Sequence, residues 1–217
     1  SYWEVNLLKS ALKYRIVDIS SYQFTPPTTY CRLKQDLKLV ITGLKKGDQN
    51  VSITAVHKAH NAAITLNYEK DAATAHFSPK QLGEYVVSIM CGTYHINGSP
   101  FSIIVCNPDA CAIMSTLTKI VHVGETVTLA IDTRKAGPGA LACNPVYTSK
   151  NLAVKIRVEN DLIYFSCDTV GTCDLMVTWA GHPIPSCPFT IVFVDSSKVR
   201  WTCGDSLDDG VVMLGNS

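Results

Sequence analysis

Apolar and polar side chains alternate along many short segments of this chain. The pattern is clear at residues 37–42, 85–91, 152–158 and 173–179, and each segment is bounded by Gly, Pro, Asn or Asp. Alternation with a period of two is typical of a β-strand with one buried face. Many short strands separated by turn residues predict an all-β protein, and a β-sandwich in particular.

One stretch of the chain is repeated without a gap. Residues 83–91 read GEYVVSIMC and are followed by INGSPFSI at 96–103, whereas residues 171–179 read GTCDLMVTW and are followed by IPSCPFTI at 184–191. A repeat of this length indicates two copies of one domain. The chain of 217 residues suits two domains, since a common domain size is about 100 residues.

The repeat predicts the domain boundaries. We expect a first domain at 1–107, a second at 108–195, and the start of a further repeat or a C-terminal extension at 196–217, because Pro108 cannot donate to a sheet ladder and should follow the end of a strand. The first copy has extra residues, which we place near 58–70, and long loops are often functional. Since the chain begins at Ser1 without Met, we expect it to be a fragment.

Composition excludes several classes of function. The formal net charge is +1 and no basic stripe is present, which argues against a nucleic-acid partner. No apolar run approaches the roughly 20 residues of a membrane helix. No phosphate loop or nucleophile elbow occurs, so we expect neither enzymatic activity nor a cofactor. The spacing of His57 and His60 suits a metal only on a helix, and with no third ligand we expect no metal site.

Cysteines and glycosylation sequons leave the compartment open. Among nine cysteines, Cys91, Cys143 and Cys173 are expected to point inward, where a reduced thiol behaves as a small hydrophobe and indicates the cytoplasm. Cys143 and Cys173 are also expected on adjacent strands, where a disulfide is feasible. Sequons at Asn50 and Asn97 would suit an extracellular protein.

Two motifs resemble one known family. The pattern Gly-x-Tyr-x-Val-x-Ile followed by Ile-x-Gly-Ser-Pro-Phe-x-Ile resembles the end of a filamin-type immunoglobulin repeat, and IDTRKAGPGAL at 131–141 resembles the filamin segment between strands B and C. The match is good over residues 110–194, moderate over 35–107 and poor over 1–34. The segment from Ser197 to Arg200 resembles the start of a further repeat. The resemblance implies two tandem immunoglobulin-like, filamin-type β-sandwiches.

The chain departs from the family pattern in places. The first copy lacks the Asp-Thr-Arg-x-Ala-Gly segment, and Cys173 stands where the pattern has Tyr. In the second copy we expect Gly137 and Gly139 to allow a turn or a close backbone approach. Arg134 is expected to brace that turn, either by a salt bridge to Asp132 or by capping backbone carbonyls.

The resemblance also implies a binding mode. Filamin repeats bind partner peptides by adding a strand at the edge of strand C, with side chains in the groove between strands C and D. In the second copy we place strand C at 140–144 and strand D at 152–158, and in the first copy at 37–43 and 51–55. The alternative is that these strand faces are core and that the edge is covered. The predicted partner-binding residues are Ala140, Ala142, Leu152, Val154, Ile156, Leu39, Ile41 and Ile53.

The function implied is a non-enzymatic scaffold in the cytoplasm and cytoskeleton, with possible linkage to actin through the rest of the chain. An extracellular cell-adhesion module is the alternative, since filamin-like repeats also occur in ectodomains of membrane proteins such as gamete attachment proteins. A ligase-associated or regulatory filamin domain is less favoured, because such proteins usually carry one repeat.

Overall fold

The structure is a computed structural model that describes residues 19–25, 28–44, 50–116, 118–147 and 152–198. The described residues form β-strands and three 3₁₀ turns, at Ile19–Ser21, Pro108–Ala110 and Ser196–Lys198. Residues 199–217, most of the predicted third segment, lie outside the described residues.

Strands account for most of the described chain. In chain order they are β1 (Gln23–Phe24), β2 (Tyr30–Arg32), β3 (Leu37–Thr42), β4 (Val51–His57), β5 (His60–Asn61), β6 (Ile64–Tyr68), β7 (Ala72–Phe77), β8 (Gly83–Cys91), β9 (Tyr94–His95), β10 (Phe101–Cys106), β11 (Ala112–Ile113), β12 (Ile120–His122), β13 (Val127–Asp132), β14 (Leu141–Tyr147), β15 (Val154–Glu159), β16 (Leu162–Cys167), β17 (Gly171–Trp179), β18 (His182–Pro183) and β19 (Phe189–Val194).

The strands form two sandwiches of two sheets each. In the first sandwich one sheet has the order β1-β3-β7-β6 and the other has the order β2-β10-β8-β4-β5, with β9 paired to β8. In the second sandwich the orders are β11-β13-β16-β15 and β12-β19-β17-β14, with β18 paired to β17. The repeated strands β8 and β17 occupy the same place in both. The predicted all-β fold with two tandem immunoglobulin-like sandwiches is confirmed.

Contacts divide the described residues into two compact units. Residues 30–33 group with residues from 104 onward, and the remaining residues up to 103 form the other unit. The predicted domain boundary between residues 107 and 108 stays a prediction.

The core of each sandwich follows from the period-two pattern. Along β17, Cys173, Leu175 and Val177 are fully buried, whereas the residues between them are only partly buried. Phe189 at the start of β19 is also buried in this core. Burying an apolar side chain of this kind contributes about 1.5–3 kcal/mol, so the alternation that identifies the strand also stabilises the sandwich.

An ion pair and a glycine define the turn between β13 and β14. Arg134 donates from Nε to Oδ1 of Asp132 at 2.9 Å and from Nη2 to Oδ2 at 2.7 Å, as predicted. These hydrogen bonds hold the pKa of Asp132 well below its usual range. Gly137 has a φ of +77°, the left-handed region that favours glycine.

Gly139 serves the same turn in a different way. A Cβ atom at this position would lie 2.6 Å from Cε2 and Nε1 of Trp179, so the backbone must pass directly against the indole ring. Trp179 is buried, and its Nε1 has no hydrogen-bond partner among the described residues. The prediction that the two glycines allow a turn and a close approach is therefore confirmed.

Gly139→Ala is expected to lower the free energy of unfolding by about 1–3 kcal/mol, because the added methyl group overpacks the site against the indole. In a Trp179→Leu background most of this cost should disappear, since a leucine side chain ends before the positions of the Nε1 and Cε2 atoms that would collide. Urea denaturation followed by circular dichroism measures both values. An equal cost of Gly139→Ala in the two backgrounds would contradict this account.

Candidate functional site

Two edge strands of the second sandwich face each other. β14 is the last strand of one sheet and β15 is the last strand of the other. Parts of the two strands lie within 8 Å, measured between Cα atoms. They therefore form the two sides of one open edge of the sandwich, in the positions that strands C and D hold in an immunoglobulin-like repeat.

The register of β14 shows which backbone groups face outward. Ala180 donates its N–H to the carbonyl of Ala140 at 2.9 Å, and β14 pairs with β17 continuously from Leu141 to Tyr147. Hydrogen-bonded and non-bonded pairs alternate in an antiparallel ladder. The backbone groups of Leu141, Cys143 and Pro145 therefore point away from β17, to a side where no strand of the described chain pairs with β14.

The same alternation along the strand determines which side chains point into the sandwich and which point to solvent. On β14, Leu141 and Pro145 are half-buried and Cys143 is buried, whereas the alternate residues are exposed. On β15, inward residues are half-buried and the alternate residues are exposed. We call these inward side chains the β14–β15 groove; they are Leu141, Cys143, Pro145, Val154, Ile156 and Val158. Cys143 belongs to the core, and the side chains of Leu141 and of the three β15 residues are half-buried and pack against it.

The structure distributes the predicted residues of the second copy over three environments. Val154 and Ile156 lie in the β14–β15 groove. Leu152 is buried in the core. Ala140 and Ala142 are exposed. Ala142 lies on the outward face of β14, between the inward-pointing Leu141 and Cys143. The groove is lined on the β14 side by Leu141, Cys143 and Pro145, which the alternation of apolar residues along LACNP would have indicated.

Leu39 and Ile41 of the first copy do not lie on an edge. The predicted strand C at 37–43 is β3, which is paired on one side with β1 and on the other with β7. Both side chains are buried in the core. The prediction of an edge position is wrong because β1 pairs with β3 on the side opposite β7. β1 and β2 have only two and three residues, which are too few to show the alternation that identifies a strand in the sequence.

Ile53 does lie on the strand that corresponds to β14, and this strand is β4. Its outer edge is partly covered. Ala62 donates its N–H to the carbonyl of Ala55 at 2.8 Å, and the Tyr68 hydroxyl donates to the carbonyl of Val51 at 2.5 Å. Only the middle of β4 remains for a partner strand, so the first sandwich offers a shorter edge than the second.

Comparison with known proteins gives a relative for more than half of the chain. Filamin-C of Rattus norvegicus and Filamin-C of Mus musculus are each 30% identical to this chain over an alignment of 136 residues that covers 57% of the chain. The repeats are of the filamin type. The matched region is 5% of the length of each of these relatives. No family model matches.

The solved structures that the comparison found share little sequence with this chain, and their TM-scores are low. The Lin-41 filamin domain is 11% identical with a TM-score of 0.36, and the match covers 41% of this chain and 94% of that domain. A fragment of ICAM-5 containing domains D1–D4 is 12% identical with a TM-score of 0.40, covering 85% of this chain and 56% of that fragment.

In the described part of the chain, no helix is long and apolar enough to cross a membrane.

The cysteines of the filamin-type repeats are largely buried. Eight are described, all are free thiols, and only Cys187 is partly exposed. Burial raises the pKa of Cys31 and of Cys111 to about 11, and that of Cys143 to about 12. These thiols are protonated at neutral pH, and because the thiolate is the reactive form they are chemically inert in the folded protein.

Alkylation of the reduced, native protein with iodoacetamide at pH 8 should leave Cys31, Cys111 and Cys143 unmodified while Cys187 reacts. The physical reason is that access and a raised pKa both limit the thiolate fraction of the buried residues. Peptide mapping by mass spectrometry gives the modification of each site, and the same reaction in urea should modify all of them. Modification of Cys143 as fast as Cys187 would show that the core of the second sandwich opens readily.

Proposed function

We propose that this protein is a non-enzymatic scaffold whose second sandwich docks an extended peptide of a partner protein along β14. The observation that carries the proposal is the edge strand β14, which pairs with β17 on one side and with no described strand on the other. The half-buried apolar side chains of the β14–β15 groove lie beside it. An unpaired strand edge offers backbone donors and acceptors to another chain, and a groove beside it selects side chains.

The two components of the site have separate roles. The outward N–H and C=O groups of Leu141 and Cys143 supply the ladder for an added strand. Pro145 has no N–H, so it limits pairing on the C-terminal half of β14. Alternate side chains of the added strand pack against Val154 and Ile156. The proposal therefore favours a partner segment in which apolar residues alternate with polar ones.

Ile156→Glu is expected to weaken peptide binding at least about tenfold, since it places a charge in the apolar groove without altering the backbone edge. The probe is a set of peptides selected from a phage-displayed library against the 217-residue chain, with affinities measured by fluorescence polarisation. Thr128→Glu is the matched control, because Thr128 is exposed on β13, which is separated from β15 by β16.

Melting temperatures of both variants establish that each is folded. The control should bind as the wild type does, and selected peptides should show alternating apolar residues. Selection of no peptide, or equal binding by Ile156→Glu and wild type, would exclude the β14–β15 groove as the docking site.

Attachment to the cytoskeleton belongs to the same proposal. The matched relatives are named Filamin-C, and this chain corresponds to 5% of their length. We infer that any linkage to actin is made by other parts of a longer protein, and that the repeats described serve as spacer and docking elements in the cytoplasm.

An extracellular adhesion module is the second candidate, and the position of the sequons favours it. Asn50 and Asn97 are both exposed, and Asn97 lies in a tight turn between β9 and β10. Both side chains are therefore accessible to glycosylation in a secreted protein.

The two candidates predict different covalent states of protein made by its native route. The cytoplasmic scaffold should carry nine free thiols and no glycan, because disulfides are rare in the cytosol. The adhesion module should carry glycan on Asn50 or Asn97 and several paired cysteines. Intact mass after alkylation under denaturing conditions, with and without reductant and a glycosidase, distinguishes the two.

A further inference from the structure

One buried donor of the second sandwich has no partner. The side chain of Trp179 is 8% exposed, and among the described residues its Nε1 is the only buried side-chain nitrogen or oxygen without a hydrogen bond. Burying an N–H group without an acceptor costs free energy, so nearly every such group in a folded protein is paired. The indole N–H of Trp179 therefore requires an acceptor that the described chain does not supply.

This indole lies at the N-terminal end of β14, on the inner side of the sheet. Trp179 is the last residue of β17 and stands opposite Leu141, the first residue of β14. Residues that stand opposite each other in an antiparallel ladder point to the same face, so the Trp179 ring points inward beside Leu141. Because Leu141 belongs to the β14–β15 groove, the unpaired donor lies at one end of the proposed docking site.

The indole takes the place of a side chain at position 139. A Cβ atom at Gly139 would lie 2.6 Å from Nε1 and Cε2 of Trp179 and 3.1 Å from Cβ of Ala180. Gly139 itself is half-buried, whereas Pro138 and Ala140 on either side of it are exposed. The inward positions of β14 present apolar side chains to the groove. The position of Gly139 presents instead the edge of the indole that carries the N–H group.

The segment that covers this donor is not held by hydrogen bonds of its own. Residues 137–139 make no hydrogen bond with another described residue. The hydrogen bonds on either side are at Ala136 and Ala140, whose carbonyls accept N–H groups at 2.7 and 2.9 Å. Gly137 and Gly139 also lack the side chains that restrict backbone movement. An acceptor can therefore reach Nε1 after a shift of this segment that breaks no hydrogen bond with the described chain.

We propose that Nε1 of Trp179 donates a hydrogen bond to a side-chain oxygen of the docked peptide and so selects an acceptor residue at one end of its apolar pattern. The inference rests on the proposed docking along β14. A strand that continues past Leu141 has a residue opposite Gly139, and because side chains two residues apart share a face, that residue points inward to the indole. Ser, Thr, Asn, Gln, Asp and Glu carry a suitable oxygen.

Peptides selected against the 217-residue chain test the inference in a double-mutant cycle, with affinities measured by fluorescence polarisation. In the peptide an apolar residue of similar size replaces the acceptor, such as Val for Thr or Leu for Asn. In the protein Trp179→Phe removes the N–H group and keeps an aromatic ring. Loss of the acceptor should weaken binding to the wild type about fivefold, since it leaves the donor unpaired again.

The same peptide change should leave binding to Trp179→Phe almost unchanged, because no donor remains to be paired. The matched control is the same kind of replacement at an outward-facing position of the peptide. Its effect on affinity should be equal in the two proteins. Equal effects of the acceptor replacement in the two proteins would overturn the inference.

The indole signal of the ¹⁵N-labelled wild type gives a second readout that does not require the variant to fold. The Nε1–H resonance of Trp179, assigned through its nuclear Overhauser contact with Gly139, should move downfield as peptide binding saturates. The physical reason is that a hydrogen bond to oxygen deshields the proton.

The outcomes distinguish failure of this inference from failure of the proposed function. Peptides that lose affinity for Ile156→Glu, but show no coupling to Trp179 and no shift of its indole signal, would overturn the inference and leave the docking site standing. An internal water would then be the partner of Nε1. Selection of no peptide would overturn both.

Discussion

Each sandwich depends on one strand that is paired on both sides and buried on one face. In the first this strand is β8, between β10 and β4, and in the second it is β17, between β19 and β14. Their inward residues are almost completely removed from water, as Val87 and Leu175 show. Its two neighbours in the sheet are paired to it directly, and it lies within the repeated part of the sequence.

A sandwich built outward from a central strand must end in edge strands, and the two copies treat the same edge differently. In the first copy the β5 segment and the Tyr68 hydroxyl take up backbone groups of β4. In the second copy no described strand covers β14. The edge that remains open is therefore the one suited to an added strand, and the proposed docking function follows from this difference between otherwise equivalent strands.

The extra residues of the first copy have two consequences. They cover part of the β4 edge, which leaves less of it unpaired, and they line part of a cavity that the buried His57 also lines. The two copies therefore differ at the edge where we propose that the second copy docks a peptide.

The sequence alone determined the class of fold, the duplication and the turn between β13 and β14, because these depend on local signals. Period-two alternation identifies strands, and Asp132, Arg134 and Gly139 stand in one contiguous motif. The side chains at the open β14–β15 edge were predicted only in part. Val154 and Ile156 follow from the alternation of β15. Ala140 and Ala142 are exposed outside the groove, and Leu39 and Ile41 lie on a central strand instead of the predicted edge. Whether a strand is central or at an edge depends on pairing with residues far along the chain, such as β3 with β7. The cavity around His57 likewise joins residues from 36 to 85. Tertiary structure alone decided these features, since a strand records in its own sequence which face is buried but not which neighbours lie beside it.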